Sequence, residues 1–127
     1  KYDQAIALAD RPEIAAALAG KIVVDVTNPL APDFMSLTVG HTTSAGEEIA
    51  RRLPGVRVVK AFNTLFASVL ARRAAGEAVA IPVFIAGDDA QAVETVSALA
   101  RDFDLEAIGA EARTQARRLW KTMEGIA

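Results

Sequence analysis

Two asparagines, Asn28 and Asn63, stand at the ends of two apolar runs of similar character. Ile22 to Pro29 reads IVVDVTNP, and Val56 to Thr64 reads VRVVKAFNT. A side-chain amide donates and accepts hydrogen bonds at once, so this is binding chemistry rather than nucleophilic or acid–base chemistry. In an open parallel sheet, ligands sit in the crevice beyond the carboxyl ends of the strands. Two such ends offering Asn28 and Asn63 have the form of a crevice lip. Pro29 holds Asn28 extended and stiffens the turn. No Gly-x-Gly-x-x-Gly occurs in the sequence, so the turn whose amides cradle a pyrophosphate is not among these residues.

Most candidate residues carry a plain reading beside the chemical one. Asn28 either meets a ligand or closes backbone hydrogen bonds at its strand's end. Asn63 and Thr64 either meet a ligand or form an Asx-turn into the next helix. Asp25, inside a strand, reads as a carboxylate held by a neighbouring loop's amides, because a buried carboxylate needs partners; a general acid is the alternative. Asp88 and Asp89 read as helix caps rather than metal ligands. His41, in a polar loop, reads as a surface residue, or as part of a flap over a second ligand. Arg113, Arg117 and Lys121 form a basic stripe, either a solvated helix face or a contact for an acidic tail. Asp33, His41 and Ser44 supply the residue types of a hydrolase triad, but no Gly-x-Ser-x-Gly elbow follows a strand.

Composition narrows the classes. The 127 residues make one ordinary domain, 52% apolar with 6% aromatics, so the core is expected to be Ala, Val, Leu and Ile packed between layers. A net charge of −2 gives no general electrostatic reason to bind nucleic acid or an anionic membrane, and no apolar run is long enough to span a bilayer. The sequence has no cysteine and one histidine. Disulfides, thiolate metal sites and a cysteine nucleophile are excluded, a histidine metal site is disfavoured, and a cytoplasmic location fits. Lys1 opens directly into a helix-like stretch with no leader pattern. A start without Met is expected for a piece of a longer chain.

The elements that would position the lip follow from spacing. Tyr2 to Ala19 has helical periodicity, broken and restarted around Asp10, Pro12 and Glu13, with Gly20 placed to end it. Ile22 to Thr27 reads as a strand covered on both faces. Leu30 to Thr43 is a long loop. Ser44 with Glu47 forms a capping box for a helix ending near Leu53. Val56 to Phe62 is a second strand, and Leu65 to Ala75 a helix with Phe66, Val69 and Leu70 inward. Pro82 to Ala86 is a third strand. Asp88 with Gln91 is expected to cap a helix to about Phe103, with Val93, Val96, Leu99 and Ala100 on its inner face. Leu105 to Ala110 is a fourth strand, and Glu111 to Met123 a last helix. Alternating strands and helices argue a parallel α/β sheet.

At VVDVTNPL, SAGEEIARRLPG, VVKAFNT and PVFIAGDD, in that order from residue 23 to residue 89, the chain resembles the NADP-dependent oxidoreductases that exchange hydride with the deazaflavin coenzyme F-420. The reductase domains of eukaryotic ferric reductases are more distant relatives. The resemblance implies a Rossmann-like parallel sheet with flanking helices, residues 1–110 being the C-terminal half of a dinucleotide-binding domain and 111–127 a C-terminal helix. The N-terminal glycine-rich half would lie upstream. It implies NADP as cofactor, with a deazaflavin (coenzyme F-420) or flavin as partner in hydride exchange. By position, Gln4, Asn28, Pro29, Leu30, Asn63 and Ala67 match residues that line the family's nicotinamide pocket. Asn28, which can donate and accept together, suits a nicotinamide carboxamide.

The resemblance fades after Gly109. The family's usual Asp-Ala-Gly-Pro-Leu is replaced by Glu106-Ala107-Ile108-Gly109-Ala110, and Trp120 stands where an acidic residue is expected. Partners are expected to be small molecules and a second copy of the chain, because a hydrophobic sheet with an open edge invites pairing. The visible chain alone is expected to hold NADP weakly. A non-catalytic Rossmann-like binding or assembly module is the alternative.

Overall fold

The computed structural model describes residues 1–40, 42–78 and 81–111, with residues 110 and 111 described by backbone alone. His41 and the Arg113, Arg117, Trp120 and Lys121 segment therefore lie outside the described residues. The order is α1 (Tyr2–Ala9), α2 (Pro12–Leu18), β1 (Ile22–Asp25), α3 (Ala45–Arg52), β2 (Arg57–Lys60), α4 (Ala67–Ala74), β3 (Pro82–Gly87), α5 (Ala90–Asp102) and β4 (Glu106–Glu111).

The opening helix breaks where expected. Asp10 ends α1, and Pro12 takes the first position of α2, where its missing N–H costs nothing. Ser44 caps α3 in a full box: its hydroxyl accepts from the Glu47 N–H at 3.2 Å, and the Glu47 carboxylate accepts from the Ser44 N–H at 2.8 Å. The cap of α5 is one residue later than the sequence suggests. Asp89, not Asp88, is the N-cap and accepts from the Ala92 N–H at 2.7 Å.

The four strands form one sheet in the order β1-β2-β3-β4. The β1–β2 and β3–β4 pairs are parallel, and the α/β class stands. The central pair is antiparallel, through Val59 opposite Gly87 and Lys60 opposite Ala86, which the expectation of a parallel sheet did not include. The helix between them, α4, has no fully buried residue. The chain re-enters the sheet from the end at which it left.

Two cores flank the sheet. On one face Val59, Ala61, Val83 and Ile85 pack against Ala92, Val96 and Ala100 of α5. On the other, Val56 and Val58 pack against Ala9 of α1, Ile49 of α3 and Leu53 at the end of α3. Alternation along β2 sends Val58 to one core and Val59 to the other. The inner face of α5 is Ala92, Val96, Ser97 and Ala100; Leu99, expected inward, is 46% exposed.

Candidate functional site

The parallel pairing of β1 and β2 sets Val24 opposite Val59 and Asp25 opposite Lys60. Both carboxyl ends therefore open on the same side. The same offset continues beyond the strands and brings Asn28 to Asn63. The Asn28 Nδ2 donates to the main-chain oxygen of Asn63 at 2.9 Å, and the Asn63 Nδ2 donates to the Asn28 Oδ1 at 3.1 Å. Both residues are half-buried. The Asn28 amide thus places one of its two N–H donors and its oxygen, as a clasp, on the neighbouring strand's exit rather than on its own strand.

Asp25 has a side chain only 1% exposed. Its Oδ1 accepts from the Thr27 N–H at 2.9 Å, as a local amide partner was expected to do. Its Oδ2 accepts from the Lys60 Nζ at 2.8 Å. The Lys60 ammonium also donates to the Thr27 carbonyl. Burial pushes the lysine below its ordinary pKa, against the opposing pull of Asp25. One carboxylate and one ammonium thereby fix both backbone groups of Thr27, the residue before the clasp. Lys60 was missed by sequence reasoning, yet a signal was present. Aligning the two runs on their asparagines places Asp25 and Lys60 at the same position, three residues before each asparagine.

The β2 exit is strained. Phe62 has φ 61°, in the left-handed region that costs an L-residue about 1–2 kcal/mol. A turn closes there, with the Leu65 N–H donating to the Phe62 carbonyl at 3.1 Å. The Phe62 ring is held against the α5-side core. A bulky residue kept in this conformation beside a candidate site is a recognised mark of functional geometry.

On the Asn28 side the lip continues through Pro29, which is buried, and Leu30, 43% exposed. Leu30 bridges Leu37, and the Pro29 carbonyl accepts from the Thr38 N–H at 2.8 Å and its hydroxyl at 3.1 Å. Asp33 pins the tip of this small hairpin by accepting from the Met35 and Ser36 amides and the Ser36 hydroxyl, which hold its carboxyl below the usual range. On the Asn63 side an apolar hollow of 320 Å³ is lined by Thr64, Leu65, Phe66, Val69, Ile81, Pro82 and Phe84. Here a second expectation fails. Phe66 is 76% and Leu70 41% exposed, and of the three α4-side residues expected inward only Val69 meets the core. Phe66 precedes the helix as its N-cap and faces out along the hollow's rim.

Of the six residues matched to a nicotinamide pocket, Asn28, Pro29, Leu30 and Asn63 come together at the lip. Gln4 sits in the first turn of α1, where its side-chain oxygen accepts from the Lys1 backbone nitrogen at 2.9 Å. The Tyr2 phenol in the same turn is pushed up mainly by burial and then by Glu48. Ala67 begins α4 and is exposed. Neither is bonded to the clasp. Among the described residues no cluster of three or more acidic, histidine or cysteine side chains could hold a metal ion, and no helix is long and apolar enough to cross a membrane. The site offers amide donors and acceptors beside apolar walls. That combination can bind and orient a flat ring with a polar substituent and keep water from it.

No protein-family model matches the chain. Over 100 residues it is 38% identical to Metalloreductase STEAP3 of Rattus norvegicus, a stretch covering 79% of this chain and 18% of that protein. A solved structure from Arthrobacter sp. FB24, assigned as an F420-dependent NADP-reductase, superposes with a TM-score of 0.64 at 36% identity, covering 88% of this chain and 55% of that one. The hypothetical protein SMa0349 of Sinorhizobium meliloti superposes with a TM-score of 0.69 at 28% identity, covering 85% and 51%. The chain spans about half the length of these solved relatives and under a fifth of the metalloreductase. Its mostly parallel sheet and flanking helices are accordingly those of a Rossmann-like reductase domain, and its named relatives are oxidoreductases.

Proposed function

We propose that this chain forms the nicotinamide end of a reductase that exchanges hydride between NADP(H) and a deazaflavin (coenzyme F-420-like) or flavin acceptor. The observation that carries the reading is the meeting of Asn28 and Asn63 at the aligned carboxyl ends of β1 and β2. That is the place where α/β sheets bind nucleotides. The residues present fit such a group. Two half-buried amides can satisfy a carboxamide, Pro29 and Leu30 give an apolar wall, and the hollow beyond Asn63 has room for part of a second ring.

A bound nicotinamide would supply the hydride chemistry itself. The chain's own residues bind, orient and exclude water. The Asn28–Asn63 lip fixes a polar substituent, Leu30 shields one side, and the Asp25–Lys60 pair holds the Thr27–Asn28 backbone still. No side chain here is required to move a proton. The similarity to the protein assigned as an F420-dependent NADP-reductase supports NADP as the donor.

The test is NADPH consumption by the full-length gene product with coenzyme F-420, FMN or a ferric chelate as acceptor. Acceptor-dependent oxidation is expected, and Asn63→Leu should raise the KM for NADPH by about tenfold, the loss of one to two hydrogen bonds. Oxidation no faster than the acceptor-free background with all three would reject the reading. We also propose a cytoplasmic homo-oligomer. The outer edge of β1 has no strand partner among the described residues, and pairing along it would add main-chain hydrogen bonds. A monomer by light scattering would remove that part.

A further inference from the structure

We propose that the chain's own segment from Ala112 to Met123 packs across the open face of β3 and β4 and brings Trp120 to the rim of the apolar hollow. The inference does not depend on the nicotinamide reading. It rests on two apolar surfaces that match each other.

The sheet is covered unevenly. Val83 and Ile85 of β3 and Ala107 of β4 face α5. Side chains alternate along a strand, so Phe84 and Ile108, which stand opposite each other in the register, point away from α5. On the β1–β2 half that side is covered by α1 and α3. On the β3–β4 half it stays open: Ile108 is 37% exposed, and Pro82 is exposed as well. The hollow opens on this same side, since Pro82 and Phe84 line it, and Phe66 adds an exposed ring at its rim. A contiguous apolar surface of this kind marks a place where something docks.

The segment carries the matching face. Ala112, Ala116, Leu119, Trp120 and Met123 fall at i, i+4, i+7, i+8 and i+11, one apolar stripe at helical spacing. Arg113, Arg117 and Lys121 fall outside that stripe and are left to the water. Direction and length fit too. β4 ends at Glu111 opposite Gly87, whereas the hollow lies toward Pro82 at the other end of the strand pair. A helix leaving Glu111 lies on this face only by running back along β4. The twelve residues from Ala112 to Met123 rise about 18 Å as a helix, and the six residues of β4 extend about 20 Å. The small Ala112 and Ala116 thus pass near the strand ends, and the large Leu119, Trp120 and Met123 reach Phe84, Ile108 and the hollow. The segment is tethered at Glu111, so its effective concentration at this face exceeds that of a second copy.

Trp120 is the sole tryptophan of the sequence, so its fluorescence reports on the segment alone. In the folded chain its emission should lie at short wavelength, with several-fold less acrylamide quenching than in urea, and both should persist on dilution. Ile108→Asp places a charge on the open face and should move the emission to the red and raise quenching toward the urea value. Phe66→Ser should give a smaller shift in the same direction; serine is a favoured N-cap, so α4 keeps its start. Arg117→Glu, outside the stripe, should leave both readings unchanged. Solvent-like emission in the parent would overturn the proposal, as would emission that neither Ile108→Asp nor Phe66→Ser moves while circular dichroism shows the chain folded. If Ile108→Asp unfolds the chain, Phe66→Ser decides. A red shift on dilution would overturn it too, because the cover would then come from a second copy. So would an equal shift in Arg117→Glu, because the basic side would then be the docked one.

Discussion

The two halves of the sheet handle buried polarity in opposite ways. In the half built from β3, β4 and α5, the buried polar residue among those described is Ser97, and its hydroxyl donates to the Val93 carbonyl of its own helix at 2.8 Å. That bond asks nothing of any other element. In the half built from β1, β2, α1 and α3, the buried polar residue is Asp25, and it draws in Lys60 from the neighbouring strand. The first half is apolar packing, with Val83, Ile85, Ala92 and Ala100 fully buried. The second commits a charge pair, a strained Phe62 and an asparagine clasp to one end of two strands. Polar groups that demand exact partners reduce the number of arrangements the chain can adopt there, and they are placed where a ligand would need the backbone to be still.

The comparison is broken most severely at Lys60. Lys60→Met leaves the Asp25 carboxylate buried without its counterion, and loss of one partner of a buried pair costs about 3–5 kcal/mol. Asp25→Leu combined with Lys60→Met removes both charges, and apolar replacement of a whole pair is often neutral. Here the recovery should be partial, because the Thr27 N–H and carbonyl both lose their partners. Urea denaturation should place the double variant between Lys60→Met and the parent. A Lys60→Met variant within about 1 kcal/mol of the parent would show that the two halves do not differ as described.

Gly87 sharpens the comparison at the seam between the halves, where β3 meets β2. A Cβ there would lie 3.1 Å from the Val58 carbonyl oxygen and 3.1 Å from the Val93 Cγ2. Gly87→Ala should cost about 1–3 kcal/mol by overpacking. The effect should be purely one of stability: with the chain still folded, the Asn28 and Asn63 side-chain amide signals in NMR spectra should keep their parent positions. A disturbed clasp would mean that the apolar half sets the lip after all.

Much of this was legible in the sequence. The capping box at Ser44, the break at Asp10 to Pro12 and the four β-rich runs each follow from a local rule, and each appears in the structure. The lip was legible because IVVDVTNP and VRVVKAFNT are similar segments, and a parallel register superposes similar segments. What was not legible depends on partners distant in sequence. The antiparallel entry of β3 depends on the end of the sheet to which the chain returns after α4, and the α4 pattern of apolar residues does not reveal that. Phe66 and Leu70 carry the periodicity of an inner face but lack a surface to meet among the described residues. Asp88 and Asp89 are equivalent by residue type, and only the backbone conformation selects Asp89. Lys60 read as the polar end of a strand because its value lies in Asp25, 35 residues earlier.

The smallest expected effect concerns the ion pairs that hold α3 beside α1. Glu48 accepts from Arg52 at 2.8 Å and from Arg51 at 2.6 Å, and Arg52 reaches on to Asp10 at the end of α1 at 3.1 Å. The Arg52 guanidinium, then that of Arg51, holds the Glu48 carboxyl below the ordinary glutamate range. A carboxyl depressed in the folded state binds its proton more readily when unfolded. Its contribution is therefore complete above the unfolded value, about pH 4.3, and is lost as pH falls through the folded one. The Tm should decline on acidification below that value, and Glu48→Gln should make the decline shallower while lowering the Tm at neutral pH. Because these are surface pairs, added salt should shrink the difference between parent and variant at neutral pH. The Asp25–Lys60 pair is shielded from solvent, so the cost of Lys60→Met should hardly change with salt. A matching salt dependence at both sites would erase the distinction between a screened helix contact and a buried strand-end pair.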